Sequence, residues 1–171
     1  EALRSPKIKV NKPIEMDSSF KTTVQLNQLK NEINSSEISE YRDLKKYNSV
    51  SEFASEQIWI PLGMEAPALW SLDRETGSEL GFCCLNAVSR DFGRLGLWVL
   101  NHGKWANARI DSSFLDLASK GFKDKRYGHS FWVSSETPIP FYYFQGLNGQ
   151  YICMIPSQNM VVVRTGKHIK R

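Results

Sequence analysis

Histidine and cysteine are scarce in this chain, and long apolar runs are missing. The three histidines, His102, His129 and His168, are scattered without a ligand pattern such as HExxH, so the sequence supports neither a metal nor a cofactor. The three cysteines, Cys83, Cys84 and Cys153, show neither metal-ligand spacing nor an even count. All three sit in apolar runs that read as strands, as small buried side chains. Neighbours on a strand point to opposite faces, which argues against a disulfide between Cys83 and Cys84 and leaves redox compartment and localisation open. No apolar stretch approaches the ~20 residues of a membrane span, and the N-terminal Glu1-Ala2-Leu3-Arg4-Ser5-Pro6-Lys7 lacks the apolar core of a signal peptide.

What is present suits a folded domain. With 171 residues, 41% hydrophobic and 12% aromatic, the chain can bury one ordinary core. The net charge of +4 gathers at the ends, in Arg4, Lys7, Lys9 and Lys12 and in Lys167, His168, Lys170 and Arg171. No aromatic residues interleave with these charges, so they read as solvated tails rather than a nucleic-acid surface. Residues 1–46 are polar, with sparse apolar positions at Val24, Leu26, Leu29 and Ile33, and read as at best an exposed helix; residues 47–171 carry the denser pattern.

In that second region Val50, Phe53, Ala54, Ile58 and Trp59 follow helical spacing, with Ser49 or Ser51 as N-cap and Pro61 as terminator. Ala68–Leu72 and Leu80–Cys84 read as a hairpin around the turn 73–78. Ser89 reads as the N-cap of a helix running to Gly103, with Asp91 favoured at its positive end and Phe92, Leu95 and Val99 on one face. A short helix is expected over Ser113–Ser119. Four runs, Ser130–Val133, Phe141–Phe144, Tyr151–Ile155 and Met160–Arg164, then form an antiparallel meander. The aromatics Phe131, Trp132, Phe141, Tyr142, Tyr143 and Phe144 read as core or as the wall of an apolar pocket.

Several segments carry a family resemblance. Ile58-Trp59-Ile60-Pro61-Leu62-Gly63-Met64, Gly81-Phe82-Cys83-Cys84-Leu85-Asn86, Ser89 to Leu97, and Gly146-Leu147-Asn148-Gly149-Gln150-Tyr151 occur in the order of the serine β-lactamase-like hydrolases, over roughly residues 47 to 165. The chain resembles the esterase and aminohexanoate-dimer hydrolase branch. That resemblance implies an α+β fold, an antiparallel sheet packed on helices, as part of a longer catalytic unit. It also implies hydrolysis of a small ester or amide through an acyl-serine.

Such enzymes pair a serine with a lysine one helical turn away and relay a proton through a Tyr-x-Asn or Tyr-x-Ser tyrosine. The one Ser-x-x-Lys spacing here is Ser18 with Lys21, in a polar stretch unlike a buried nucleophile helix. Tyr47-Asn48-Ser49 fits the tyrosine motif, only 14 residues before Pro61. Asn148, Gly149 and Gln150 stand where the family carries its third, substrate-holding motif, although Asn-Gly equally signals a plain hairpin turn. Three functional expectations remain open: a truncated and catalytically impaired relative, a compact serine hydrolase built from Ser18, Lys21 and Tyr47, or a non-catalytic binding or oligomerising module. Loss of the family's helical domain is expected to expose Trp59, Leu62, Met64 and Trp70 and to drive self-association.

Overall fold

The computed structural model describes residues 7–11, 46–105, 108–121 and 126–166. Among them lie nine strands and three α-helices in a mixed α+β arrangement. Strand β1 (Ile8–Asn11) pairs in parallel with β2 (Ala68–Ser71), which pairs antiparallel with β3 (Leu85–Asn86). Short β4 (Lys104–Trp105) and β5 (Ala108–Arg109) form a ribbon after the central helix. The third sheet is the expected meander, β6 (Trp132–Ser134), β7 (Phe141–Gln145), β8 (Tyr151–Ile155) and β9 (Met160–Arg164), each antiparallel to the next.

Helix α1 (Val50–Ala54) begins where Ser49 accepts a hydrogen bond from the Glu52 amide, so Ser49 is the N-cap of the two candidates. It widens into a π-helical turn, Ser55–Trp59, in which the Ile60 amide reaches back to the Ser55 carbonyl. The extra residue per turn aims Trp59 inward, where its indole donates to the Ala66 carbonyl at 2.8 Å. Trp59, Leu62 and Met64 are consequently interior, at 1%, 1% and 3% exposure, and Trp70 is half-buried. The expected apolar patch at these residues is therefore core, because β1 and the central helix cover it. The case for self-association drawn from that patch falls with it.

The central helix α2 (Ser89–Leu100) joins two apolar clusters. Trp98 packs with Ile8, Ala54, Trp59, Leu62, Met64, Ala68 and Ala108, while Val99 and Leu100 pack with Leu115, Ala118, Phe131 and Met154. Ser89 is the first helical residue rather than the cap; its hydroxyl lies 2.9 Å from that of Thr165, and Val88 occupies the cap position. Helix α3 (Ser112–Ala118) starts one residue earlier than its spacing suggests, because Asp111 caps it through the Ser113 amide.

Two sequence readings are corrected here. Ile8–Asn11, inside the polar first segment, is a paired strand whose Ile8 is core. Residues 81–84 form a turn rather than a strand, Cys84 has φ +77°, and Cys83 is bonded to Cys84. The alternation that would separate the two sulfurs needs extended backbone at both residues, and a left-handed Cys84 removes it. The aromatic run divides by strand alternation: Phe131, Tyr142 and Phe144 turn to the core, whereas Trp132 stacks on Tyr143 on the opposite face. No helix among the described residues is long and apolar enough to cross a membrane.

Helix α2 lies on the meander at Gly96, where a Cβ would meet Val161 Cγ1 at 2.6 Å and Ile152 Cγ2 at 2.9 Å. At Gly93 the nearest contact, Val163 Cγ2 at 3.9 Å, is ordinary. Gly96→Ala is expected to destabilise by about 1–3 kcal/mol, through overpacking of branched neighbours. Gly93→Ala should be neutral or stabilising by up to ~1 kcal/mol, from helix propensity. Urea melts of the two variants check this, and equal effects would contradict the close approach at Gly96.

Candidate functional site

The end of the polar segment, the start of α1 and the turn after β2 enclose a cleft of about 600 Å³. Tyr47, Val50, Phe53 and Leu72 supply its apolar walls, and Asn48, Ser49, Ser78 and Glu79 its polar groups. The Tyr47 ring meets Phe53 edge-on with centroids 5.2 Å apart, and Lys46 Nζ sits 5.4 Å from the Tyr47 ring centre. The Tyr47 hydroxyl accepts a hydrogen bond from Gln57 Nε2 at 2.7 Å. One helical turn upstream, the Asn48 backbone and side-chain amides both donate to Glu52 Oε2.

Deeper in, Ser51 is only 4% exposed, and both its amide and its hydroxyl donate to Glu79 Oε1, at 3.0 and 2.5 Å. Ser49 Oγ lies 3.1 Å from Ser51 Oγ, extending the chain of hydroxyls toward the carboxylate. Ser55 closes the network from below, donating to the Ser51 carbonyl and accepting from the Ile8 amide. Burial pushes the Glu79 carboxyl up, but the hydrogen bonds from Ser51 and from backbone amides outweigh it and hold the group below its usual range. A carboxylate stabilised in this way is a hydrogen-bond acceptor and a weak general base at neutral pH. Ser51 is thus held as a structural donor.

Asn148, Gly149 and Gln150 lie elsewhere, at the tip of the β7–β8 hairpin. The Gly146 amide donates to the Gln150 carbonyl, the Gly149 amide to the Gly146 carbonyl, and the Asn148 amide to Gln150 Oε1. Gly149 takes φ +79°, which the turn requires. These amides are satisfied within the turn, and no hydrogen bond among the described residues joins the tip to the Tyr47 cleft. Ser18 and Lys21 lie outside the described residues. Sequence reasoning missed Ser51 and Glu79, since a serine beside a helix start and a glutamate after a turn carry no signal of each other. It also missed the role of Asp91, which is not at the helix end for its dipole alone. Asp91 is 0% exposed and accepts from the Glu65 and Ala66 amides and from Arg94.

No family model and no curated protein matches the chain. Among solved structures, a protein described as a proposed 6-aminohexanoate-dimer hydrolase from Bacillus anthracis aligns with a TM-score of 0.60 and 27% identity. The alignment covers 68% of this chain and 32% of that one, so this chain spans about a third of its length. That likeness supports a relative of β-lactamase-type hydrolases, and the helices and antiparallel sheets agree with part of such a fold.

Because Glu79 has a depressed folded-state pKa, it contributes stability above the usual glutamate value of 4.5, and that contribution is lost as pH falls through the folded value. Wild type should therefore be more stable than Glu79→Gln at neutral pH, with the gap in denaturant midpoint closing below pH 4.5. A gap unchanged down to about pH 3 would contradict the ionised Ser51–Glu79 contact.

Proposed function

We propose that the chain is a relative of the β-lactamase-like hydrolases, whose substrates would be small esters or amides, and that these 171 residues alone do not form the acyl-serine. The observation that carries this reading is the setting of Tyr47. Its hydroxyl is engaged by Gln57, while Ser49 accepts from the Glu52 backbone amide and Ser51 donates to Glu79. Among the described residues no serine hydroxyl is hydrogen-bonded to a lysine amine, the pairing that would activate a nucleophile of this type. In its place the cleft presents a formed, partly apolar surface with the half-buried carboxylate of Glu79 at its base, which suits binding more than acyl transfer.

The test is covalent labelling of the 171-residue chain with a fluorophosphonate and with a penicillin-type probe, read by mass spectrometry. No adduct is the expected result. Stoichiometric labelling at Ser18 that disappears in Ser18→Ala would overturn the reading and establish a compact hydrolase built on Ser18, Lys21 and Tyr47. Labelling at another serine would overturn it as well, by placing the nucleophile outside the Ser-x-x-Lys spacing.

A further inference from the structure

The turn that joins the two halves of the β2–β3 hairpin is organised around its bonded cysteines. Cys83 and Cys84 are sequence neighbours with Cα atoms 3.7 Å apart, and the bond closes a small ring through the peptide between them. Cys84 sits at φ +77°, a left-handed backbone that residues with a Cβ disfavour. The carbonyls of the two cysteines carry the hairpin. Cys84 O accepts from the Ser71 amide and from Asn86 Nδ2, both at 3.2 Å. Cys83 O and Leu80 O together accept from the Trp70 indole, at 3.1 and 3.0 Å. Both cysteines are partly exposed, and Phe82 beside them is 71% exposed, which places the bonded pair at the surface.

We infer that the Cys83–Cys84 disulfide is a reversible two-electron switch that fixes the hairpin when oxidised and frees it when reduced. A thiolate of a dithiol reductant attacks one sulfur, breaks the S–S bond and forms a mixed disulfide. The second thiol of the reductant then displaces it, leaving the reductant as a cyclic disulfide and Cys83 and Cys84 as two thiols that have gained two electrons and two protons. Without the ring, Cys84 returns to negative φ, its carbonyl swings away from the Ser71 amide and from Asn86, and the Trp70 indole loses one acceptor. The consequence reaches the cleft, because the Leu80 amide bonds to the Ser71 carbonyl and Leu72 forms an isolated bridge with Glu79, so the segment that carries Glu79 moves with the hairpin. Cys153, on β8, stays outside the switch. It is half-buried, and burial pushes its thiol pKa up, which slows its attack on the disulfide.

The experiment compares air-equilibrated chain with chain reduced by dithiothreitol, counting thiols by alkylation after denaturation and following amide exchange by mass spectrometry. One alkylated cysteine, Cys153, is expected before reduction and all three after it. Exchange at Ser71 and Leu80 should become about tenfold or more faster in the reduced protein and recover on reoxidation. Cys84→Gly separates the backbone from the bond, since glycine takes positive φ freely. It should keep slow exchange with or without reductant, whereas Cys83→Ser should exchange like the reduced protein in both conditions. Three alkylatable thiols in the air-equilibrated chain would overturn the switch. So would unchanged Ser71 exchange on reduction, or a Cys84→Gly protein that exchanges like reduced wild type.

Discussion

A fully buried carboxylate holds this fold together. Asp91, one turn into α2, accepts hydrogen bonds from two successive amides, Glu65 at 2.8 Å and Ala66 at 3.1 Å, and from Arg94 at 2.9 Å. A charge removed from water is costly unless it is paired and its lone pairs are filled, and here both conditions are met. The loop that leaves the π-helical turn is therefore pinned to the first turn of α2. Arg94 extends the link outward to Glu65, which also receives Arg90, and both guanidinium groups hold the Glu65 carboxyl below its usual range. Those outer pairs face water and add little.

Once the loop is fixed on α2, the rest of the packing follows. Trp59 and Trp98 share one apolar cluster, so the pinned loop brings α1 against β1 and β2. On its other side α2 approaches the meander at Gly96 closely enough that a methyl group would collide. The two clusters are thus joined by one helix that is polar-locked at its start and close-packed at its middle. The Tyr47 cleft sits at the far edge of the first cluster, where Ser51 and Glu79 connect α1 to the turn after β2.

Much of this was legible in the residues. The four strands of the meander, the α2 stretch and the capped start of α1 declare themselves through alternation, helical spacing and a serine before an apolar run, because each signal is local. What was hidden depends on partners distant in sequence. Ile8–Asn11 lies in a segment that is polar by composition, and it becomes a strand because β2 offers it a parallel edge 60 residues on. Asp91 looks like any acid in a first helical turn until Glu65 and Ala66 are seen to meet it. Cys84 belongs to an apolar run that reads as a strand, and only its left-handed backbone turns the pair toward each other. At the candidate cleft, a motif drew attention to Tyr47, while Ser51 and Glu79, 28 residues apart, had none.

The functional reading rests on the same architecture. A likeness to a hydrolase over about a third of that protein's length accompanies a cleft in which Ser51 donates to the Glu79 carboxylate and Ser49 accepts from the Glu52 backbone amide. The cleft lies beside α1, and the loop that follows α1 is tied to α2 through Asp91, which makes the Asp91 anchor the claim most exposed to test. Amide exchange on Asp91→Ala measures it directly, because removing the carboxylate leaves two part-buried amides without their acceptor, at a cost of roughly 1–3 kcal/mol each. Exchange across Trp59–Ser71 should rise on the order of a hundredfold, and by less in β7–β9, which are held by α2 independently of that loop. Unchanged exchange over Trp59–Ser71 would show that the loop is held by its apolar contacts alone and would contradict the account.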